Sequence, residues 1–400
     1  MAPLSEYIQR VAPSPTMAIT AKAAALRREG IDVIPLSAGE PDFDTPQNVK
    51  DAGIRAIEDG FTKYTSPPSG IPELKEAVIE RFRIDHDLLY TPEQIVVNNG
   101  AKHSLALAVA AVLNPGDEMI IPTPYWVTFT EQPKLVGADP VIVETRAEDG
   151  LKLTPKLLEA AITPHTRMVL INSPSNPSGA VYTRAEMAAL GEVILAHVDL
   201  YVLGDEIYEK LIYDDAEHVS MATLSEQLKQ RTIIVNGVSK TYAMTGWRIG
   251  YAAGPPEVIA LMDKAQSQTV SHPSSMSQKA AVEALSGPQE SVEIMRQEYD
   301  HRRRFVIDAL NAIDGVVCEL PKGAFYAYPD VSAFFGRSGP QGPIEDSTAL
   351  CDYLLDEARV ACVPGAGFGT KPHLRMSYAT SRQNLEEALS RVSEALGRLA

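Results

Sequence analysis

Four short apolar segments of this sequence each run into a turn that carries polar side chains able to do chemistry. The turns are residues 98–102, 172–179, 204–208 and 236–240. In open α/β sheets, ligands bind just outside the carboxyl ends of the strands. The four turns therefore predict one shared pocket that holds asparagine, aspartate, tyrosine and lysine side chains.

Taken singly, most of these signals are weak. The small residues near Gly100 fit a plain helix start, although they also let backbone amides approach an anion. Asn176-Pro177 is a common turn signal, and a lysine such as Lys240 usually extends to solvent. Asp205 is harder to dismiss, because a carboxylate at a buried strand end is costly without a partner.

The combination favours pyridoxal chemistry. A buried lysine such as Lys240 can form a Schiff base with the cofactor, and an aspartate such as Asp205 keeps the ring nitrogen protonated. Asn176 and Tyr208 are candidates to donate hydrogen bonds to the ring oxygen. The phosphate needs amides and a cation, for which the candidates are Gly100, Ala101, Lys102 and Arg248.

The elements that must position these residues are alternating strands and helices. From about residue 95, short runs rich in β-branched residues alternate with longer helical segments, and most runs lack polar alternation. The runs are 95–97, 119–121, 141–143, 168–171, 201–203 and 232–235. This pattern predicts an α/β fold with a mostly parallel central sheet flanked by helices.

Beyond residue 290 the pattern changes to a charged helix, two shorter strand candidates at 323–326 and 360–363, and a final amphipathic helix. That helix carries Leu385, Leu389, Val392 and Leu396 on one face. We therefore predict a large cofactor-binding domain at 48–295. A smaller α+β domain would combine residues 1–47 with 296–400.

Composition limits the classes of function. The 400 residues carry a formal net charge of −16, which argues against nucleic acid as a partner. The longest apolar run, 105–113, is too short for a membrane helix, and no signal peptide is seen. Three cysteines without paired spacing predict neither disulfides nor a metal site. We expect a cytoplasmic protein.

With these motifs in place, the sequence resembles the class I pyridoxal-phosphate aminotransferases of fold type I, closest to the bacterial aspartate/prephenate aminotransferase branch. The resemblance spans nearly the whole chain. Its most specific segments are 38–46, 124–127, 172–179, 205–209, 239–250 and 375–379.

The resemblance implies pyridoxal 5′-phosphate as cofactor and a role for each matching residue. Lys240 would be the Schiff-base lysine and proton shuttle, with Asp205 and Tyr208 completing the catalytic set. The implied cofactor ligands are Gly100, Ala101, Lys102, Trp126, Asn176, Asp205, Tyr208, Ser239, Lys240, Arg248 and, from the partner subunit of a homodimer with shared active sites, Tyr64. The implied substrate ligands are Gly39, Trp126, Asn176, Arg375, Lys102 and Thr16.

The resemblance also implies a ping-pong exchange between an amino acid and a 2-oxo acid. Lys102 and Thr16 match positions that recognise a distal carboxylate, which favours aspartate or glutamate with 2-oxoglutarate or oxaloacetate. Prephenate, aromatic and neutral substrates stay open, as does a lyase on the same scaffold. One departure is Ala101, where the branch has glycine; its amide stays available provided that φ is negative.

Overall fold

The computed structural model describes residues 4–13 and 15–400, without the side chains of residues 15, 16 and 18. The strands are β1 (Ile34–Pro35), β2 (Ile95–Asn98), β3 (Glu118–Pro122), β4 (Asp139–Val143), β5 (Thr166–Asn172), β6 (Tyr201–Asp205), β7 (Thr232–Gly237), β8 (Gly250–Ala253), β9 (Tyr326–Ala327), β10 (Ser338–Gly339), β11 (Gly342–Pro343), β12 (Val360–Ala361), β13 (Val363–Pro364) and β14 (Leu374–Ser377).

The α-helices are α1 (Glu6–Gln9), α2 (Pro15–Arg28), α3 (Gln47–Glu58), α4 (Pro72–His86), α5 (Ala101–Val112), α6 (Gln132–Leu135), α7 (Pro155–Ala161), α8 (Arg184–Ala196), α9 (Glu226–Lys229), α10 (Val238–Thr241), α11 (Pro256–Thr269), α12 (Ser275–Ser286), α13 (Glu290–Asn311), α14 (Ser347–Tyr353) and α15 (Arg382–Gly397).

The central sheet has seven strands in the order β2-β8-β7-β6-β5-β3-β4. Strands β4, β3, β5, β6 and β7 pair in parallel, and β8 lies antiparallel between β7 and β2. The α/β fold with a mostly parallel sheet is therefore confirmed, and all six predicted runs lie within its strands. The seventh strand, β8, is absent from the sequence prediction because Gly-Tyr-Ala-Ala has no β-branched residue.

Helices cover both faces of this sheet, which explains why its strands are apolar throughout. Helices α5 and α11 pack against each other and bury Leu105 and Met262 with the strands. Elsewhere, α12 packs on α3 and α4, and Leu190 of α8 joins a further cluster under β5 and β6. A sheet buried in this way holds its strand ends rigidly.

A second core combines the early strand β1 with the C-terminal third of the chain. β1 pairs in parallel with β12, and β13, β14 and β9 form an antiparallel sheet. The predicted apolar face of α15 is buried in this core. The strand candidates at 323–326 and 360–363 prove shifted and divided: β9 begins at Tyr326, and 360–363 is split between β12 and β13.

The proposed domain boundary stays a prediction. Helix α13 runs without interruption from Glu290 to Asn311, so a division at residue 295 falls inside a helix. Within the described part of the chain, no helix is both long enough and apolar enough to cross a lipid bilayer.

Candidate active site

A cavity of about 430 Å³ opens at the carboxyl ends of the central strands. Eleven of the residues predicted for the site line it. They are Gly39, Ala101, Lys102, Trp126, Asn176, Asp205, Tyr208, Ser239, Lys240, Arg248 and Arg375. The four turns identified in the sequence therefore do meet at one edge of the sheet.

Lys240 lies on the short helix α10, which directly follows β7. Its Nζ donates a hydrogen bond to the carbonyl oxygen of Gly39 at 2.5 Å. Burial lowers the pKa of Lys240 to about 8, against the opposing charge of Glu40. A lysine whose pKa is lowered in this way has a neutral amine accessible near physiological pH, which is the form that attacks a carbonyl carbon.

Asp205 is the last residue of β6 and is 4% exposed. One of its oxygens accepts a hydrogen bond from the amide of Ile207 at 3.3 Å. Burial raises the pKa of Asp205 to about 7. A buried carboxylate in this state is stabilised by a positive partner, so the site suits the protonated nitrogen of a pyridine ring.

Arg375 lines the cavity together with Tyr208 and Tyr326. Arg375 Nη1 donates to Asn176 Oδ1 at 3.0 Å and Nη2 donates to the carbonyl of Ser37 at 2.9 Å. The buried Nε has no partner within the described part of the chain. The guanidinium lies 4.5 Å from the ring centroid of Tyr326, whose hydroxyl lies 2.8 Å from that of Tyr208. Since both bonded acceptors are neutral, the charge of Arg375 stays available to a carboxylate.

The start of α5 has the features of a phosphate cradle. Gly100 precedes the helix with a φ of +84°, and a Cβ there would lie 2.2 Å from Arg248 Nη2. Only glycine allows both this backbone conformation and the close approach of the guanidinium. Ala101 begins the helix and is not in the left-handed region, so its amide is available as predicted. Helix amides and a guanidinium together suit a dianion.

Lys102 and Trp126 lie side by side within the cavity. The Lys102 Nζ lies 4.8 Å from the centroid of the Trp126 ring. Burial, followed by the charge of Arg248, lowers the pKa of Lys102. Among the described residues Lys102 has no carboxylate within ion-pair distance, so a ligand carboxylate can reach it.

The other three predicted residues are Gly100 and Tyr64, which do not line the cavity, and Thr16. Gly100 lies behind Arg248, as described above. Tyr64 is 91% exposed and contacts His272, with ring centroids 5.7 Å apart. The side chain of Thr16 lies outside the described residues, although Met17 and Thr20 of the same helix line the cavity.

Ten lining residues are absent from the predicted set. They are Met17, Thr20, Ser37, Ala38, Glu40, Leu105, Asn172, Ile207, Thr245 and Tyr326. Most are chain neighbours of predicted residues, and that proximity was the available signal. Tyr326 had no such signal, because it arrives from a strand 118 residues beyond Tyr208.

The cavity is cationic although the protein is acidic. Its described lining carries Lys102, Lys240, Arg248 and Arg375 against Glu40 and Asp205. Such a set attracts a dianionic phosphate and substrate carboxylates. The residues present therefore fit pyridoxal 5′-phosphate together with an acidic substrate.

The family described as "Aminotransferase class I and II" matches residues 31–392. The chain is 51% identical over 393 residues to an aspartate/prephenate aminotransferase of Cereibacter sphaeroides, covering 98% of each sequence. It is 50% identical to an aspartate aminotransferase of Geobacillus stearothermophilus, covering 97% of this chain and 98% of the relative.

Solved structures agree with the sequence relatives. The aspartate aminotransferase of Rhizobium meliloti superposes with a TM-score of 0.96 at 48% identity, covering 100% of both chains. The aspartate aminotransferase of Thermus thermophilus with maleate gives 0.92 at 43% identity, covering 99% of this chain and 100% of that one. The chain therefore belongs to the class I and II aminotransferases and is a pyridoxal-phosphate-dependent transaminase.

Proposed function

We propose that this enzyme transfers the amino group of aspartate or glutamate to 2-oxoglutarate or oxaloacetate in two half-reactions. The observation that carries the proposal concerns the two lining cations that the cofactor does not need, Arg375 and Lys102. Neither has a carboxylate partner among the described residues of the cavity that holds Lys240. A dicarboxylic amino acid has one carboxylate for each.

The proposed cofactor contacts are lining residues together with Gly100, which lies next to Arg248. Gly100, Ala101, Ser239 and Arg248 would hold the phosphate, Trp126 would stack on the ring, and Asn176 with Tyr208 would bind the ring oxygen. Asp205 would hold the proton on the ring nitrogen. When bound, pyridoxal phosphate supplies an electron sink for the bond that breaks at the substrate α-carbon.

The chain's own residues perform the remaining work. Arg375, with Gly39 and Asn176, would fix the α-carboxylate of the substrate. Lys240 Nζ, once it is free as a neutral amine, would act as a general base and take the proton from the substrate α-carbon. It would then return that proton to the C4′ carbon of the cofactor. Its lowered pKa, near 8, suits both directions, because an acid–base catalyst works best with a pKa near the working pH.

The distal carboxylate would be bound by Lys102, and Thr16 remains the second proposed contact. The Thermus relative was solved with maleate, which is itself a dicarboxylate. This supports a site built for two carboxylates.

A second candidate acceptor is prephenate. Its support is that relatives from Cereibacter sphaeroides and Nitrosomonas europaea are named aspartate/prephenate aminotransferases. Prephenate also carries two carboxylates, so Arg375 and Lys102 could bind it in the same manner. An aromatic or neutral donor, or lyase chemistry, uses Lys240 and Asp205 equally but leaves Lys102 without a role.

The experiment compares half-reactions of the holoenzyme with single amino acids. Each half-reaction is measured as the loss of the cofactor's visible absorbance. We expect Lys102→Ala to weaken the response to aspartate and glutamate by about 10- to 100-fold, the value of one charge-assisted hydrogen bond, and to spare alanine and phenylalanine. The control is Lys156→Ala, an exposed lysine of α7. Equal losses for all four donors would contradict the acidic assignment.

Prephenate is tested separately as the amino acceptor, with enzyme that has first taken up the amino group of aspartate. Ammonia and a 2-oxo acid released without any acceptor would instead identify a lyase.

We further propose a cytoplasmic homodimer whose Tyr64 reaches the partner's cofactor phosphate. Its support is that Tyr64 is exposed and outside its own cavity.

A further inference from the structure

A second cluster of ionisable side chains lies outside the cavity, next to the strand end that carries Asp205. His86 at the end of α4 has its Nε2 2.7 Å from Glu209 Oε2, with both side chains at most 10% exposed. His218 Nε2 lies 3.0 Å from Glu206 Oε2, at 4% and 5% exposure. The two histidine rings are in edge contact at 5.3 Å. The transaminase chemistry described above uses none of these four residues.

One nitrogen of this cluster is left without a partner. His218 Nδ1 is buried and makes no hydrogen bond with any described residue. Because Glu206 accepts from Nε2, a neutral His218 must carry its proton on Nε2, and the lone pair of Nδ1 is then unused. A carboxylate that holds one imidazole nitrogen while the other presents a lone pair is the usual support of a metal-bound histidine.

Three side chains can offer ligand atoms at this point. Atoms of His86, Glu209 and His218 all lie within 4.8 Å of one another. Two imidazoles and one carboxylate are a common donor set for zinc. We propose that His86, Glu209 and His218 form a binding site for a divalent cation of the zinc class, with Glu206 orienting His218.

The charge of the cluster is compatible with such an ion. Two neutral histidines and the carboxylates Glu206 and Glu209 sum to −2, which one divalent cation neutralises. Nearby, Asp85 pairs with both Arg81 and Lys210, which leaves that group at +1. With this neighbouring group included, the total is −1, which a single proton on His86 would neutralise without a metal. That proton is the competing occupant.

Binding requires a modest rearrangement of the cluster. Ligand atoms of a tetrahedral zinc ion with bonds of about 2.0–2.1 Å lie roughly 3.4 Å apart, against a spread of up to 4.8 Å here. The His86–Glu209 hydrogen bond is given up as both atoms turn to the ion. Three protein ligands leave one position for water.

The test is equilibrium dialysis of the holoenzyme against Zn²⁺ and, separately, Co²⁺, followed by elemental analysis and calorimetry. We expect one ion per chain. His218→Gln removes the Nδ1 lone pair but keeps an amide donor for Glu206, and it should weaken the ion's affinity by about 100-fold or more, since even outer-shell changes cost 10- to 100-fold. Glu209→Gln should do the same.

The matched control is His197→Gln, because His197 forms an exposed pair with Glu159 at 3.3 Å. This variant should retain the ion with unchanged affinity. Circular dichroism and cofactor absorbance verify that each variant is folded and loaded. Absence of a stoichiometric ion, or binding unaffected by both cluster variants, would overturn the proposal and leave the proton on His86 as the occupant.

Discussion

Asp205 and Lys240 show how burial sets the chemistry of single residues. The pKa of Asp205 is raised to about 7 and that of Lys240 is lowered to about 8, both mainly by burial. Each charge is therefore expensive in the isolated chain and becomes favourable only with a partner of opposite sign. Perturbations of this kind, gathered in one cavity, are typical of an active site rather than of a structural ion pair.

The raised pKa of Asp205 predicts how stability depends on pH in the cofactor-free enzyme. Because the folded pKa, about 7, lies above the ordinary 3.8, the folded state binds the proton more tightly. The contribution is present below about pH 4 and is lost as pH rises through about 7. Relative to Asp205→Asn, the wild-type apoenzyme should lose at most about 1.4 kcal/mol per pH unit between pH 5 and 6.5.

Urea denaturation of both apoproteins at matched pH values measures this difference. Asparagine is nearly isosteric with aspartate and cannot ionise, so it isolates the carboxyl group. Parallel pH profiles for the two proteins would show that Asp205 keeps an ordinary pKa. In the holoenzyme the difference should shrink, because Asp205 would then face a positive ring nitrogen.

At the scale of elements, the sequence predicted what local pattern controls. Apolar runs identified six of the seven central strands, and the turns after them supplied most of the site. Strand β8 was missed because its four residues carry no pattern of their own, and it forms where β2 and β7 offer pairing edges. Tyr326 was missed for a related reason, since only the folded chain brings it to Arg375.

Helix α13 holds the loop that presents Gly39 to the cavity. Arg302 Nη1 contacts both oxygens of Asp42, at 2.8 and 2.9 Å, and the rings of Phe43 and Tyr299 meet edge to face at 5.4 Å. Arg302 is buried, and its partner Asp42 lies three residues beyond Gly39 in the same loop. The helix therefore acts on the substrate side through this loop.

Arg302→Met should loosen that loop without touching the cofactor contacts. We expect KM for the amino acid to rise by about 10-fold with a smaller change in kcat, because small displacements of a positioning group reduce binding steeply. Cofactor absorbance should stay intact. The control is Arg296→Met on the same helix, which pairs with Glu293 and donates to the carbonyl oxygen of Ile212, neither of which belongs to the loop. An unchanged KM in Arg302→Met would show that the loop is held by its other contacts.

The whole molecule separates its charge by location. The chain carries −16 in total, while the described lining of the cavity has four cationic and two acidic side chains. The net negative charge of the chain therefore reflects its solvent-exposed surface and does not indicate the charge of the ligand. An acidic protein attracts anionic substrates only through such a local excess, since outer charges beyond about 10 Å are largely screened at physiological salt.

The proposed homodimer makes a prediction that only the assembled molecule can answer. If Tyr64 serves the partner's site, a heterodimer of one Lys240→Ala chain and one Tyr64→Ala chain contains one complete site: the lysine comes from the second chain and the tyrosine from the first. Coexpression with two different tags and sequential purification isolates this species. It should show about half of wild-type activity, because one of two symmetric sites is intact.

Both parent homodimers set the baseline for this comparison. Lys240→Ala should be inactive in both sites, and Tyr64→Ala should be weakened in both through a poorer grip on the cofactor phosphate. If Tyr64 acted within its own chain, the heterodimer would contain no complete site and its activity would not exceed half that of the Tyr64→Ala homodimer. The exposure of Tyr64, 91% in the single chain, is expected for a side chain that completes its contacts only across the interface.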